Sequence, residues 1–451
     1  MLYSRLSQKV GLSRLVFVII KIFIVGGGLA GLTVATYLAR AGCSVILFEK
    51  APNVGGRAIT HHYSDFLFNQ GPHALYRGGA ALKILRELGI EFSGGVASTE
   101  GVAILEGKLY QLPSGVISIL SSGLLKAGSK LKLDTWLASV MVTKPTIPAH
   151  LTLREWLEVT FHQPDLRTYI EALARLLTYA NAPLDMSAAA FMAQLQVGLR
   201  GVSYLDGGWQ TLIDGLKQTA QKAGVLIKPE SRVVAIEPTA KILRLADDST
   251  MSANTIIVAG LSPAHLNALV DGGQQPVLQA WAAHTLPVQA ACLDLGLSRL
   301  PVPDRRFAVG VDQPLYFSVH SVKAKLGPSD GVMLHAAKYL DPHTATDAKA
   351  DECELEAMLD LLQPGWRGEV IERRFLPKMT VSNAVVSARQ GGLAGRPGPQ
   401  VPGLPDLYVV GDWVGPEGML LDAALPSAKN AAQLILNQSV ASISTLQVEL
   451  V

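Results

Sequence analysis

The sequence predicts an α/β protein: a Rossmann-like parallel sheet, an α+β second domain and a helical subdomain. Three observations carry that expectation. The first is a strand, glycine turn, helix and strand in succession, with Gly26, Gly28 and Gly31 at G-x-G-x-x-G spacing and Glu49 closing the second strand. The second is the buried apolar run Thr255 to Ala259, ending on Gly260, which reads as a second visit to the same sheet. The third is a change of pattern from Val288 to Val381, where several strands surround one helix, as in a mainly antiparallel α+β domain.

The first unit runs Ile22 to Val25, then the turn, a helix over Leu32 to Ala41, and the strand Ser44 to Phe48. Gly26 permits the tight turn, Gly28 lets the backbone approach a pyrophosphate, and Gly31 lets the helix pack closely on the strand. The turn residues Leu29 and Ala30 lead into the helix N-terminus, whose N–H groups and positive dipole end face a phosphate. Glu49 stands where a carboxylate accepts from both ribose hydroxyls, with Lys50 beside it; an acid there disfavours a 2′-phosphate and so argues against NADP. Gly55, Gly56 and Arg57 add a second close backbone approach with a cation, the competing reading being a solvated loop arginine. Gly71, Pro72 and His73 follow a strand as a tight turn, read either as a turn with a surface histidine or as cofactor lining.

At 451 residues, two structural domains are expected. The chain is 49% hydrophobic and 17% charged with a formal net charge of +2, so no global field argues for nucleic acid. Three cysteines (Cys43, Cys292, Cys353) fit no metal or redox spacing, and buried thiols in a reducing, cytoplasmic setting are expected. The histidines form no HExxH-like pattern, and no metal is expected. Arg5, Lys9 and Arg14 precede the apolar run Leu15 to Ile20, but Lys21 interrupts it and no small-residue cleavage site follows, so residues 1 to about 15 read as a basic extension.

Beyond the hairpin-like Ala58 to Phe68, Leu82 to Leu88 reads as helix and Val102 to Leu112 as a hairpin. Ser114 to Val142 mixes Lys126, Lys130 and Lys132 with leucines and a tryptophan. It suits either an interfacial segment on a membrane or, preferred, a helix pair packed on the core with its lysines in water. Leu153 to Val159, Leu166 to Tyr179 and Ser187 to Val197 have helical periodicity, with Thr152 and Glu155 spaced as a capping box. Gln210 to Ala223 is amphipathic and leads into a meander that includes Val233. Gly392 to Pro402 reads as a linker back to the first domain.

The last informative stretch is Leu407 to Trp413, a strand ending in Gly411 and Asp412, then Gly418, Met419, Leu420 and a helix over Leu421 to Leu436. The carboxylate sits where ribityl or phosphate-side hydroxyls pass, and the helix N-terminus would stabilise negative charge on the N1/O2 edge of a reduced flavin. Ribose recognition at the front and a second clasp at the back imply an elongated cofactor, FAD. The expected organisation is an extension (1–20), a discontinuous FAD-binding domain (21–78, 205–275 and 386–438), a helical substrate or membrane-facing subdomain (79–204), a substrate-domain sheet (276–385) and a C-terminal tail (439–451).

GGGLAGL with FEK and NVGGR at the front, and LYVVGDWVGPEGMLLDAALPSAKNAA at the back, resemble the FAD-dependent amine oxidase and phytoene desaturase superfamily. The middle section, with CLDLGLSRLP and MLHAAKYL, is more similar to its phytoene dehydrogenase-related branch. The resemblance implies a p-hydroxybenzoate-hydroxylase-like or GDI-like arrangement. It places Gly26, Gly28 and Gly31 at the pyrophosphate, Glu49 at the ribose, Gly55, Gly56 and Arg57 on the flavin side, the Val233 backbone at adenine, Asp412 at the ribityl-phosphate region and Met419 at a flavin carbonyl. Ala51 stands where many relatives carry a basic residue, which loosens the adenosine contacts. No cysteine lies in the C-terminal motif, so FAD is expected to be non-covalent.

The implied chemistry is hydride removal from an apolar C–H to flavin N5, the protein supplying orientation and a dry pocket. His73 is the candidate polar group near the flavin, and Trp413 either flanks the ring or belongs to the core. A desaturase or dehydrogenase of an isoprenoid or carotenoid-like compound leads. An amine oxidase is the runner-up, then a protoporphyrinogen-oxidase-like enzyme and, from another class, a non-redox prenyl-binding module of the same fold. The sequence names no electron acceptor.

Overall fold

The computed structural model describes residues 20–98, 100–113, 122–143 and 146–448. The N-terminal extension and residues 114–121 of the lysine-bearing stretch lie outside them, as do the last three residues.

A five-stranded parallel sheet has the order 226–228, 44–48, 21–25, 255–259, 407–410. Its central strand, Lys21–Val25, is buried on both sides because alternate side chains leave it in opposite directions. Ile22 and Ile24 meet the helices Leu29–Arg40, Gln210–Lys222 and Leu421–Val448. Phe23 and Val25 meet a three-stranded antiparallel meander, Val233–Glu237, Ile242–Leu245 and Thr250–Ser252, on the other face.

The second sheet has seven strands in the order 370–382, 288–297, 332–339, 315–319, 307–310, 102–105, 108–111. It is antiparallel except where Phe307–Gly310 runs parallel to Val102–Leu105. One face packs on the helix Ala348–Leu362. The other meets the helices Leu153–Thr160, Pro164–Thr178 and Ala188–Gly198. The capping box at Thr152 is present, with Glu155 N–H donating to Thr152 Oγ1 and Glu155 accepting from the Thr152 N–H.

The structure departs from the sequence expectations in several places. The sequence pattern groups the hairpin 102–111 with the helical segment, yet it extends the seven-stranded sheet, a pairing between residues about 200 apart that no local pattern encodes. The final helix runs on to Val448, so the expected C-terminal tail is largely helix. Two short helices beyond those expected are present, Pro263–Leu269 and Pro276–Ala283; Ser262 caps the first and each carries proline at its start. Among the cysteines only Cys292 is buried; Cys43 is half-buried and Cys353 exposed. Among the described residues of the lysine-bearing stretch is the helix Ala127–Val142, anchored where Asp165 accepts from the Lys126 N–H and the Ser129 hydroxyl. No described helix is long and apolar enough to cross a membrane.

Candidate cofactor and active site

A cavity of about 540 Å³ lies at the carboxyl ends of the parallel strands, where α/β sheets place their ligands. The early glycine turn and the late Gly411–Asp412 turn both line it, because strands 21–25 and 407–410 flank strand 255–259. Gly26 has φ +112°, and a Cβ there or on Gly31 would collide with the Ala259 or Gly26 carbonyl oxygen respectively. Gly31 therefore sets how close helix and strand come. Gly28 is open by contrast, its nearest neighbour to an added Cβ being the Gly55 carbonyl oxygen at 3.9 Å. It also caps the helix Leu29–Arg40 without a side-chain acceptor, leaving the first-turn N–H groups to the cavity. An elongated diphosphate fits this cradle.

Glu49 is buried and held by the N–H groups of Gly27 (2.8 Å to Oε2) and Ala51 (2.9 Å to Oε1). Each oxygen keeps a lone pair for a ribose hydroxyl. Ala51, the departure from the superfamily pattern, thus contributes through its backbone. Lys50, Gly55, Gly56 and Val233 also line the cavity.

At the far end Arg57 Nη1 pairs with Asp412 Oδ2 at 2.8 Å and donates to the Val381 carbonyl at 3.0 Å. Asp412 also accepts from Asn383 N–H (3.2 Å) and Nδ2 (3.0 Å). The stretch 392–402 is more than a linker: Arg396 reaches from it to the carbonyls of Asp412 and Gly418. Burial pulls its guanidinium down to about 10, with Asp412 opposing. Ser427 Oγ accepts from the Gly411 N–H at 2.9 Å and ties the turn to the last helix. That helix begins just after Leu420, which lines the cavity at φ +54°, an uncommon value for a branched residue.

His73 lines the cavity beside Pro72, Nδ1 facing the Gly71 carbonyl at 3.1 Å and the ring edge-on to Trp209 at 4.7 Å. Burial pushes its imidazole down to about 4, with the Gly71 carbonyl opposing, so the ring is neutral at physiological pH. It is not the surface histidine that the local turn reading allowed. Tyr76, Tyr179 and Met379 complete the wall.

Four expected residues do not line the cavity. Trp413 is a core residue, its Nε1–H donating to the Leu261 carbonyl at 2.9 Å and its ring packed on Trp281. Met419 is buried with Ala190 and Val386. Gly71 and Gly418 are turn residues with φ of +72° and +62°. A Cβ on Gly71 would press on Met379 and Cys292, and one on Gly418 on the backbone of Asp422. Sequence reasoning missed Asp422, which lines the cavity and accepts from the Ala81 N–H at 2.7 Å. Burial raises its carboxyl to about 6. The sequence shows it only as an acid in a helix's first turn; its burial comes from the helix Ala80–Glu87, over 300 residues away.

The model of the flavin-containing amine oxidoreductases matches residues 29–290. The chain belongs to that family. As a family member its cofactor is FAD, and the cradle described above fits one. The chain is 22% identical over 278 residues to a phytoene desaturase of Cercospora nicotianae, covering 52% of this chain and 44% of that protein. It is 25% identical over 265 residues to a probable flavin-containing monoamine oxidase A of Dictyostelium discoideum, covering 53% and 56%. The chain thus matches about half the length of these curated relatives. An oxidoreductase structure from Methanosarcina mazei superposes with a TM-score of 0.74 at 19% identity, over 92% of this chain and all of that one, which establishes the fold.

Proposed function

We propose that this family member is an FAD-dependent oxidoreductase that oxidises an apolar C–H bond, a desaturase or dehydrogenase of an isoprenoid or carotenoid-like compound. FAD would supply the hydride acceptor. Gly26, Gly28, Leu29, Ala30 and Gly31 would hold the pyrophosphate, Glu49 and Lys50 the adenosine ribose, and the Val233 backbone the adenine. Gly55, Gly56, Arg57, Gly411, Asp412 and Leu420 would hold the flavin half without a covalent link.

The observation that carries the substrate class is the wall around His73. The tyrosine hydroxyls there are engaged by backbone carbonyls, Tyr76 donating to that of Leu177 at 2.7 Å and Tyr179 to that of Pro72 at 3.5 Å. Arg57 is paired with Asp412. The wall therefore offers ring faces, Met379 and a neutral imidazole, which suit a hydrocarbon and desolvate a charged amine at a cost. His73 would stand against the reacting carbon, accepting or orienting a proton at Nε2 while the surrounding rings exclude water.

An amine oxidase is the second reading, favoured by the pair Tyr76 and Tyr179 with Asp422 on the same cavity. Anaerobic bleaching of the bound flavin separates the two: bleaching by polyenes and not by amines is expected, and the reverse overturns the assignment. Leu131, Met141 and Val142 are exposed on the lysine-bearing helix and would rest on a lipid surface. Vesicle co-sedimentation of a Leu131→Gln, Met141→Gln double variant tests that contact.

A further inference from the structure

Behind the cavity wall, four adjacent strands of the seven-stranded sheet place polar side chains in one row. Arg374 is in register with Asp294, Asp294 with His335, and His335 with Ser318. Cross-strand partners project from the same face, so the row is contiguous. Asp294 and His335 are fully buried, with His335 Nδ1 and Asp294 Oδ1 2.6 Å apart. Arg374 holds the other carboxylate oxygen at 2.6 Å and also bonds the Asn69 carbonyl. Asp294 is held below the ordinary carboxylate range, burial being outweighed by His335 and Arg374. Its charged form faces the ring at Nδ1, which leaves Nε2 as the ring's open position.

That Nε2 has no protein partner, and neither nitrogen of the adjoining His320 has one. His320 is buried with its ring 4.4 Å from that of His335 and stacked on Tyr204 at 3.7 Å. Buried ring nitrogens in a native protein are normally satisfied, so this space suits ordered water or a transferable proton. His73, on the cavity side, is within electrostatic reach of Asp294 and His335, and His320 of His73. Of the three imidazoles, His335 alone has a carboxylate against its ring.

We propose that Asp294 and His335 form an internal proton acceptor behind His73, which takes up a proton when negative charge arrives on the cofactor. This rests on the flavin reading above. When a C–H bond of substrate is oxidised, the neighbouring carbon keeps its electron pair in the new double bond and releases a proton. His73 Nε2 takes that proton and, being strongly desolvated, passes it on to His335, where Asp294 offsets the charge. His335 is a positioning and proton-holding residue and does not itself touch substrate.

The test counts protons instead of turnover. FAD-loaded protein is reduced photochemically without oxygen in weak buffer containing a pH indicator. The wild type is expected to take up about one more proton per flavin near neutral pH than His335→Gln, since reduction raises the proton affinity of a nearby imidazole. Equal uptake by the two overturns the proposal. Should the variant not hold FAD, the reduced-minus-oxidised infrared difference spectrum of wild-type protein with ring-labelled histidine reads the same event. Label-sensitive imidazolium bands support the proposal, and their absence overturns it. A wild-type protein that binds no FAD would sink the cofactor reading, a separate result seen before any proton is counted.

Discussion

The two sheets position chemistry by opposite means. Around the parallel sheet, turn residues next to each other in sequence do the work: the cradle at 26–31, the acid at 49 and the clasp at 411–412 all stand at strand ends. On the antiparallel sheet the chemistry lies in the middle of strands. Asp294, His335 and Arg374 become neighbours only through strand pairing. Sites built from turns hold a cofactor with backbone groups, whereas sites built from register need side chains that satisfy one another. The first kind should fail by losing ligand, the second by losing stability.

The largest expected effect lies on the antiparallel side. Asp294→Ala leaves Arg374 and His335 facing each other without the carboxylate, which should cost about 3–5 kcal/mol in urea unfolding. FAD affinity in protein that stays folded should change by less than about threefold, or under 1 kcal/mol. A large loss of affinity would break the contrast.

Asp422 lines the cavity at the start of the last helix, and its effect should depend on pH. Its carboxyl is raised from 3.8 to about 6 in the folded protein, so the native state binds the proton more tightly than the unfolded chain. The associated stability is present in full below about 4 and is lost as pH rises through about 6, on the order of 3 kcal/mol in all. Asp422→Asn should flatten that part of the stability profile; a variant with the wild-type slope would show that Asp422 ionises normally.

On the parallel side, Gly31→Ala should cost about 2 kcal/mol by forcing helix and strand apart, and weaken FAD binding at least tenfold. Glu49→Gln replaces one acceptor with a donor facing a backbone N–H, and about 1–2 kcal/mol of FAD affinity should go with little change in melting temperature. Fluorescence titration of the apoprotein measures both. The smallest effect is expected from Trp413→Phe, which removes one hydrogen bond to Leu261 and should cost about 1 kcal/mol of stability with the flavin spectrum unchanged. A shifted spectrum would return Trp413 to the cofactor site.

Strand, turn, helix, strand and acid could be read from 21–57 because each device there is local: a turn needs its glycine and a helix N-terminus its N–H groups, whatever lies far away. The same holds for the capping box at Thr152 and the helix after Leu420. Trp413 and Met419 could not be assigned that way, since whether a large side chain faces a cavity or a core depends on what packs above it. Asp422 owes its burial to a helix more than 300 residues earlier in the chain, and His335 its carboxylate to a strand 41 residues away. Local backbone geometry is encoded locally, so the glycine turn and helix N-terminus of the proposed cradle were written in the chain itself. Dielectric surroundings and cross-strand neighbours exist only once distant segments close together, and they decided which acids and imidazoles can hold a proton.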